Sequence, residues 1–193
     1  MHDPDVDLVR QAGAGDRRAA EALIRRHAGK ITGLARRMLS DPAEAEDVAQ
    51  DVYLRVWRAA PTWREGQAKF ETWMHRVTLN LCYDRLRRRR ERPLAAAGED
   101  IADPHASASQ GVLERQRAAR VAAAVAALPE RQRAAITLCH FNEVSNIEAA
   151  RALGVSVDAL ESLLARGRRA LKTALVDIAL DLLGEADHAA SRS

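Results

Sequence analysis

The side chains of this chain that are placed to do chemistry suit binding to bases and phosphates. In SNIEAARALGVSVDALESLLARGRRALK, Ser145 to Lys172, a serine followed three residues later by Glu148 forms a capping box that starts a helix. Gly154 supplies the positive φ of a tight turn, and Ser156 caps a second helix. A helix-turn-helix of this kind lays its second helix in the DNA major groove. On the exposed side of that helix Ser162, Arg166 and Arg169 recur at three- and four-residue intervals, with Arg168 alongside. They are donors for base edges and phosphates. Asp158 stands in the first turn, where the helix dipole favours an acid. Glu161 repels phosphate, although it can accept from a cytosine amino group. Such a module binds DNA weakly alone, and a second contact is expected elsewhere. A plain helical hairpin with a glycine turn is the alternative.

The second contact is sought between Tyr53 and Tyr83, where six of the seven aromatic residues fall. Aromatic rings beside cations bind unpaired bases by stacking, at roughly 1–3 kcal/mol per base. Trp63, in the polar loop PTWREGQAK, is the best candidate for an exposed ring; the i, i+3 spacing of Phe70 and Trp73 favours packing. The segment runs on into four consecutive arginines, Arg87 to Arg90, which face all round a helix, so some are free to meet phosphate. Upstream, Glu44, Glu46, Asp47 and Asp51 load one helix with acid ahead of Arg55 and Arg58. This is either a dipole-friendly surface helix or a docking face for a basic protein partner.

These residues need helices to carry them. Apolar residues recur at helical spacing through most of the 193 residues, and no alternating strand pattern persists, so the expected fold is all-α. Asp16 caps a first long helix whose inner face is Ala20, Leu23, Ile24, His27, Ile31, Leu34 and Met38. Asp41, Pro42 and Glu44 open a second, which Pro61 ends. A third runs from about Phe70 to Arg90, with Phe70, Trp73, Met74, Val77 and Leu81 on one face. Pro93 to Gly111, PLAAAGEDIADPHASASQG, has no periodicity and reads as a flexible linker. Two small helical domains are therefore expected, at 1–92 and 112–176, followed by a C-terminal tail at 177–193 that begins as a short amphipathic helix. In the second domain Ala150 is small where helices cross, and Ile147, Leu153, Val155, Leu160 and Leu164 are the expected core.

Composition narrows the function. The formal net charge is +3, and nearly all positive residues are arginine. Cys82 and Cys139 lie far apart and outside any metal-ligand spacing; with no Gly-rich phosphate loop and no nucleophile-base pair, neither catalytic residue, metal nor cofactor is expected. His75 and His140 read as packing or surface residues. The longest apolar run, Val121 to Leu128, falls far short of the ~20 residues of a membrane span. The acidic start lacks a signal peptide's basic and apolar regions, so no membrane insertion and a cytoplasmic location are expected.

GDRRAAEALIRRH, AEDVAQDVYLRVWRA and FETWMHRVTLNLCYDRLRRRR together resemble region 2 of the extracytoplasmic-function (ECF) sigma factors of bacterial RNA polymerase. LPERQRAAITL and SNIEAARALGVSVDALESLLARGRRAL resemble their region 4. The resemblance implies that Asp47, Gln50, Asp51 and Leu54 dock on the clamp helices of the polymerase largest subunit. It implies that Trp63, Arg64, Gln67, Lys69, Phe70, Arg76 and Asn80 hold single-stranded bases of the promoter −10 element. Arg85, Arg87, Arg88, Arg89 and Arg90 would meet nearby phosphates. Ser156, Glu161, Ser162, Ala165, Arg166 and Arg169 would read the −35 duplex, while the other side of that domain meets the flap of the second-largest subunit. An anti-sigma factor is implied as inhibitor. Against the family pattern, Glu161 and Leu163 stand where many members are basic. The linker, about 19 residues, reaches at most roughly 65 Å, nearly two turns of duplex. The competing readings are a sigma mimic that sequesters an anti-sigma factor, and a stand-alone helix-turn-helix regulator.

Overall fold

The computed structural model describes residues 3–64, 66, 68–91 and 110–190, of which 110–114, 116 and 177–190 are described by backbone alone. Among them there are helices and no strand: α1 (Val6–Gly13), α2 (Arg17–Leu39), α3 (Pro42–Ala59), α4 (Phe70–Glu91), α5 (Gln110–Ala126), α6 (Glu130–Ile136), α7 (Asn146–Leu153) and α8 (Val157–Ala190), with a π-helical turn at Thr137–Phe141 between α6 and α7.

Helix starts follow the capping signals. Asp16 accepts from the amides of Arg18 and Ala19, and Asp41 from that of Glu44 with Pro42 in the first turn. Each such cap is worth about 1 kcal/mol. Between α2 and α3 the chain reverses at Ser40, which takes left-handed φ 55° and returns its amide to the Arg36 carbonyl. The reversal brings Leu23, Ile31, Leu34 and Met38 of α2 against Ala45, Val48, Ala49, Val52 and Val56 of α3, all buried. Each large side chain here contributes about 1.5–3 kcal/mol by leaving water.

The third member of the group, α4, buries more than the single face expected: Phe70, Thr72, Met74, His75, Thr78, Leu79 and Cys82 are buried, while Trp73, Val77 and Leu81 are half-buried. The reason is a cover on each side, α2 and α3 on one and α7 on the other.

In the second group, Gly167 lets α6 and α8 cross closely, since a β-carbon there would lie 2.8 Å from Ile136 Cγ1. Ala149, Ala150, Leu160 and Leu164 are buried. Ile147 is not: it is 56% exposed, because α7 turns Glu148, Ala149, Ala150 and Ala152 inward instead. The expected linker lies outside the described residues up to 109, and α5 takes in 110 and 111. Beyond 176, the backbone of α8 continues as helix to Ala190, well into the expected tail. Among the described residues, no helix is long and apolar enough to cross a membrane.

The two groups share one cluster of buried apolar side chains, and polar contacts join them as well. Thr72 Oγ1 donates to Glu148 Oε2 at 2.5 Å, and the amide of the Asn142 side chain donates to the Lys30 carbonyl at 3.2 Å and to His75 Nε2 at 3.3 Å. Arg133 Nη1 donates to the Met38 carbonyl at 2.7 Å and Nη2 to those of Ala126 and, at 3.0 Å, Leu128, so one guanidinium caps the ends of α2 and α5. The Arg37 guanidinium lies 4.1 Å from the centre of the Phe141 ring.

His75, fully buried in this contact, has an acid-sensitive consequence. Burial, helped by the positive charge of Lys30 and His27 and opposed by Glu71, pushes its imidazole down to about 4. An unfolded histidine titrates near 6.5, so between those values the unfolded chain binds the extra proton. Stability is therefore complete above about pH 6.5 and is lost as pH falls towards 4, by up to about 3 kcal/mol. The urea midpoint should drop between pH 7 and 5, and His75→Phe should flatten that drop; an equally steep fall in the variant would assign the effect to other groups.

Candidate nucleic-acid and docking surfaces

The exposed face of α3 carries Asp47, Gln50 and Leu54 at three- and four-residue steps, with Asp51 half-buried beside them. Its apolar members stand well out of the fold: Leu54 is 55% exposed and Trp57, the next residue in the same stripe, 49%. Trp57 was not among the residues expected for docking, although its position three after Leu54 and seven after Gln50 was the available signal. An apolar pair among acids is the anatomy of a protein interface. Arg85 of α4 reaches this face, with Nη1 3.5 Å from Asp47 and Nη2 3.5 Å from Asp51. Two acids on the neighbouring helix thus hold Arg85, expected at phosphate, against the acidic surface in the free chain.

At the start of α4 three aromatic rings form a stack. Phe70 lies edge-on to Trp63 at 5.3 Å between centroids and packs nearly parallel to Trp73 at 5.4 Å. Phe70 has 0% exposure, so as placed it cannot touch a base, and its assignment as a base contact is corrected to support for Trp63. Trp63 and Lys69 are half-buried, and Arg64 is exposed. Arg76 and Asn80, one turn apart on α4, are exposed on a common side. Gln67 lies outside the described residues.

The arginine run divides by partner. Arg89 binds Asp41 at 3.2 Å, Glu44 at 2.9 Å and the Leu39 carbonyl at 3.0 Å, tying the α2–α3 reversal to α4. This is a structural role, and it corrects the reading of Arg89 as a phosphate contact. Arg87 pairs with Asp84 at 2.9 Å and Arg90 with Glu130 at 3.2 Å. Exposed pairs of this type are worth roughly 0–1 kcal/mol, so they exchange readily for phosphate. Arg88 is exposed and forms no ion pair with a described residue.

The helix-turn-helix is built as its sequence directs. Ser145 Oγ accepts from the Glu148 amide at 3.4 Å, Gly154 takes φ 64°, and Ser156 Oγ accepts from the Ala159 amide at 3.2 Å. Ser156, Glu161, Ser162, Ala165, Arg166, Arg168 and Arg169 are all exposed on α8. Arg166 and Arg168 fold back to the carbonyls of Ser162 and Leu164, at 3.2 and 3.3 Å, which holds their stems along the helix. The thiol of Cys82, pushed by burial up to about 12, is unreactive.

The fold defines the class first: an all-helical protein with a helix bundle ahead of a helix-turn-helix. Two family descriptions match in that order, Sigma-70 region 2 over residues 23–92 and Sigma-70, region 4 over 118–171. The chain is 36% identical to the ECF RNA polymerase sigma factor SigM of Mycobacterium tuberculosis, over 86% of this chain and 82% of that one. It is 34% identical to the ECF sigma factor SigE of Mycolicibacterium smegmatis, over 79% of this chain and 60% of that longer protein. Among solved structures, CnrH in complex with the cytosolic domain of CnrY superposes with a TM-score of 0.69 at 30% identity, over 91% of this chain and 99% of that one. The chain belongs to the ECF group of RNA polymerase sigma factors. It is an alternative sigma factor, a DNA-binding factor of transcription initiation.

Proposed function

We propose that α3 docks on the clamp helices of core RNA polymerase through Asp47, Gln50, Asp51, Leu54 and Trp57. The loop Trp63–Lys69, with Arg76 and Asn80, captures unpaired bases of the −10 element; Arg87, Arg88 and Arg90 meet the adjoining phosphates. The −35 duplex is read by Ser156, Glu161, Ser162, Ala165, Arg166 and Arg169, and the opposite side of that module meets the polymerase flap. The division is region 2 at 1–92, a linker at 93–111, region 4 at 112–176 and a tail at 177–193. The protein acts in the cytoplasm, has no catalytic step or cofactor of its own, and is held by an anti-sigma factor.

The observation that carries this reading is the exposure of the docking stripe, of Arg76 and Asn80, and of the α8 face in one chain. Their spacing adds a requirement. Here α4 touches α7 directly through Thr72 and Glu148, and packed helices lie about 8–10 Å apart. Two turns of duplex span roughly 70 Å. Engaging both elements therefore means lifting α7 from α4, which breaks the Thr72–Glu148 contact and exposes apolar surface that the two groups share. Once both modules sit on one polymerase, each contact raises the effective concentration of the other, so neither needs to bind tightly alone.

The test is binding in two states: the free chain should leave a pool of random duplex DNA unretained, and its complex with core enzyme should retain a subset sharing two elements. Retention by the free chain alone would support a stand-alone regulator instead. Within this scheme Arg166→Ala should weaken use of the −35 element by about 5- to 150-fold, the span of 1–3 kcal/mol for a good base contact. An unchanged footprint there would remove Arg166 from the reading face.

A further inference from the structure

Two acids that precede α1 are among the least exposed polar residues described: Asp3 at 2% and Asp5 at 1%. A carboxylate is tolerated in such a place only where donors surround it. Asp3 Oδ1 accepts from the Asp5 amide at 3.0 Å, and Oδ2 accepts from the amide of Phe70 at 2.5 Å, across 67 positions of sequence. Asp5 is held in turn on α2, by Arg26 Nη1 at 2.6 Å and His27 Nε2 at 2.8 Å. Burial alone would raise the Asp5 carboxyl, but the hydrogen bonds and positive charge of His27 and Arg26 outweigh it and hold the group below the usual carboxylate range. The segment is thus a strap tied to α2 at one end and to the first residue of α4 at the other.

That first residue needs a cap from elsewhere. The leading amides of a helix have no partner within it, and the usual remedy is a Ser, Thr, Asp or Asn just ahead. In GQAKF the residues ahead of Phe70 are Ala68 and Lys69, and neither side chain has an acceptor. Asp3 supplies the missing one. Phe70 is also the residue whose ring supports Trp63 edge-on, so its backbone and ring together define the exit of the loop that begins at Trp63. The partners of Asp3 named above lie on the strap and at the start of α4.

We propose that Asp3 is a positioning residue for −10 base capture: it caps α4 at Phe70 and so fixes the carboxyl-terminal end of the Trp63–Lys69 loop. This rests on the reading of that loop as the single-strand site. A loop held in its bound shape avoids the cost of ordering when the base arrives. Loss of Asp3 therefore weakens base capture and leaves polymerase docking alone.

The experiment uses the full chain with core enzyme and the promoter that it selects from a randomised duplex library, measuring promoter opening and core affinity separately. Asp3→Ala should lower opening about 5- to 20-fold with core affinity within about twofold. Asp3→Asn keeps one acceptor but turns an N–H donor towards a backbone amide, and should fall between. Because Asp3 acts through the loop, the double variant with Trp63→Ala should be no worse than the weaker single variant. Losses that multiply, normal opening in Asp3→Ala beside a defective Trp63→Ala, or core affinity falling in step with opening in both Asp3 variants would each overturn the proposal. Normal opening in Trp63→Ala would instead bring down the loop reading on which it rests.

Discussion

Asp51→Arg should abolish co-elution with core RNA polymerase, a loss of about 100-fold or more in affinity, while the helical content and melting of the free chain stay close to the parent's. The asymmetry follows from the surroundings of the side chain. Its carboxylate is 47% exposed and meets Arg85 at 3.5 Å, a pair of the kind that adds about 0–1 kcal/mol to stability. Within a docked interface the same position is desolvated, and a like-charge pair there costs several kcal/mol. Arg85 then adds its own repulsion to the new cation. Asp7→Arg is the matched control, since Asp7 is exposed, pairs with Arg10 at 2.7 Å and lies on α1 rather than α3. Co-elution of Asp51→Arg with core enzyme at the parent level would refute the docking face.

The second large effect belongs to the single-strand site. Trp63→Ala and Asn80→Ala should impair promoter opening by roughly 5- to 150-fold, the equivalent of 1–3 kcal/mol per captured base. Neither should alter the closed complex, in which those bases are still paired. Trp63→Ala also removes an edge contact to the Phe70 ring, whereas Asn80 is exposed and its truncation disturbs no core. Asn80→Ala is thus the cleaner variant. Equal loss of closed and open complexes would contradict the separation of melting from recruitment.

Local signals in the sequence were strong where one helix could announce itself. Asp16, the Asp41–Pro42–Glu44 start and the Gly154 and Ser156 turn each act within four residues and form as read, while Ser145 caps its helix but the Glu148 carboxylate turns to Thr72 and Arg151 instead of closing a capping box. Less legible are residues whose surroundings are set by a neighbour distant in sequence. Arg85 and Arg89 stood in a run whose charge suits DNA, yet acids 34 to 48 residues away engage both. Phe70 sits beside the expected base contacts in sequence, yet it is buried with the rings of Trp63 and Trp73 packed on it. Ile147 follows the helical period of an ordinary core residue. A buried glutamate, satisfied by Thr72 and Arg151, takes the inward face of α7 and leaves Ile147 outside. The cap of α4 lies beyond any local rule, because its donor and acceptor meet only after folding.

The most direct test of the account is run-off transcription from a library of random upstream sequences, with purified bacterial core polymerase, in the presence and absence of this protein. Transcripts should appear only with the protein and share two short elements about two helical turns apart. Stable binding to core with no such transcripts, or transcripts without any shared upstream element, would contradict this.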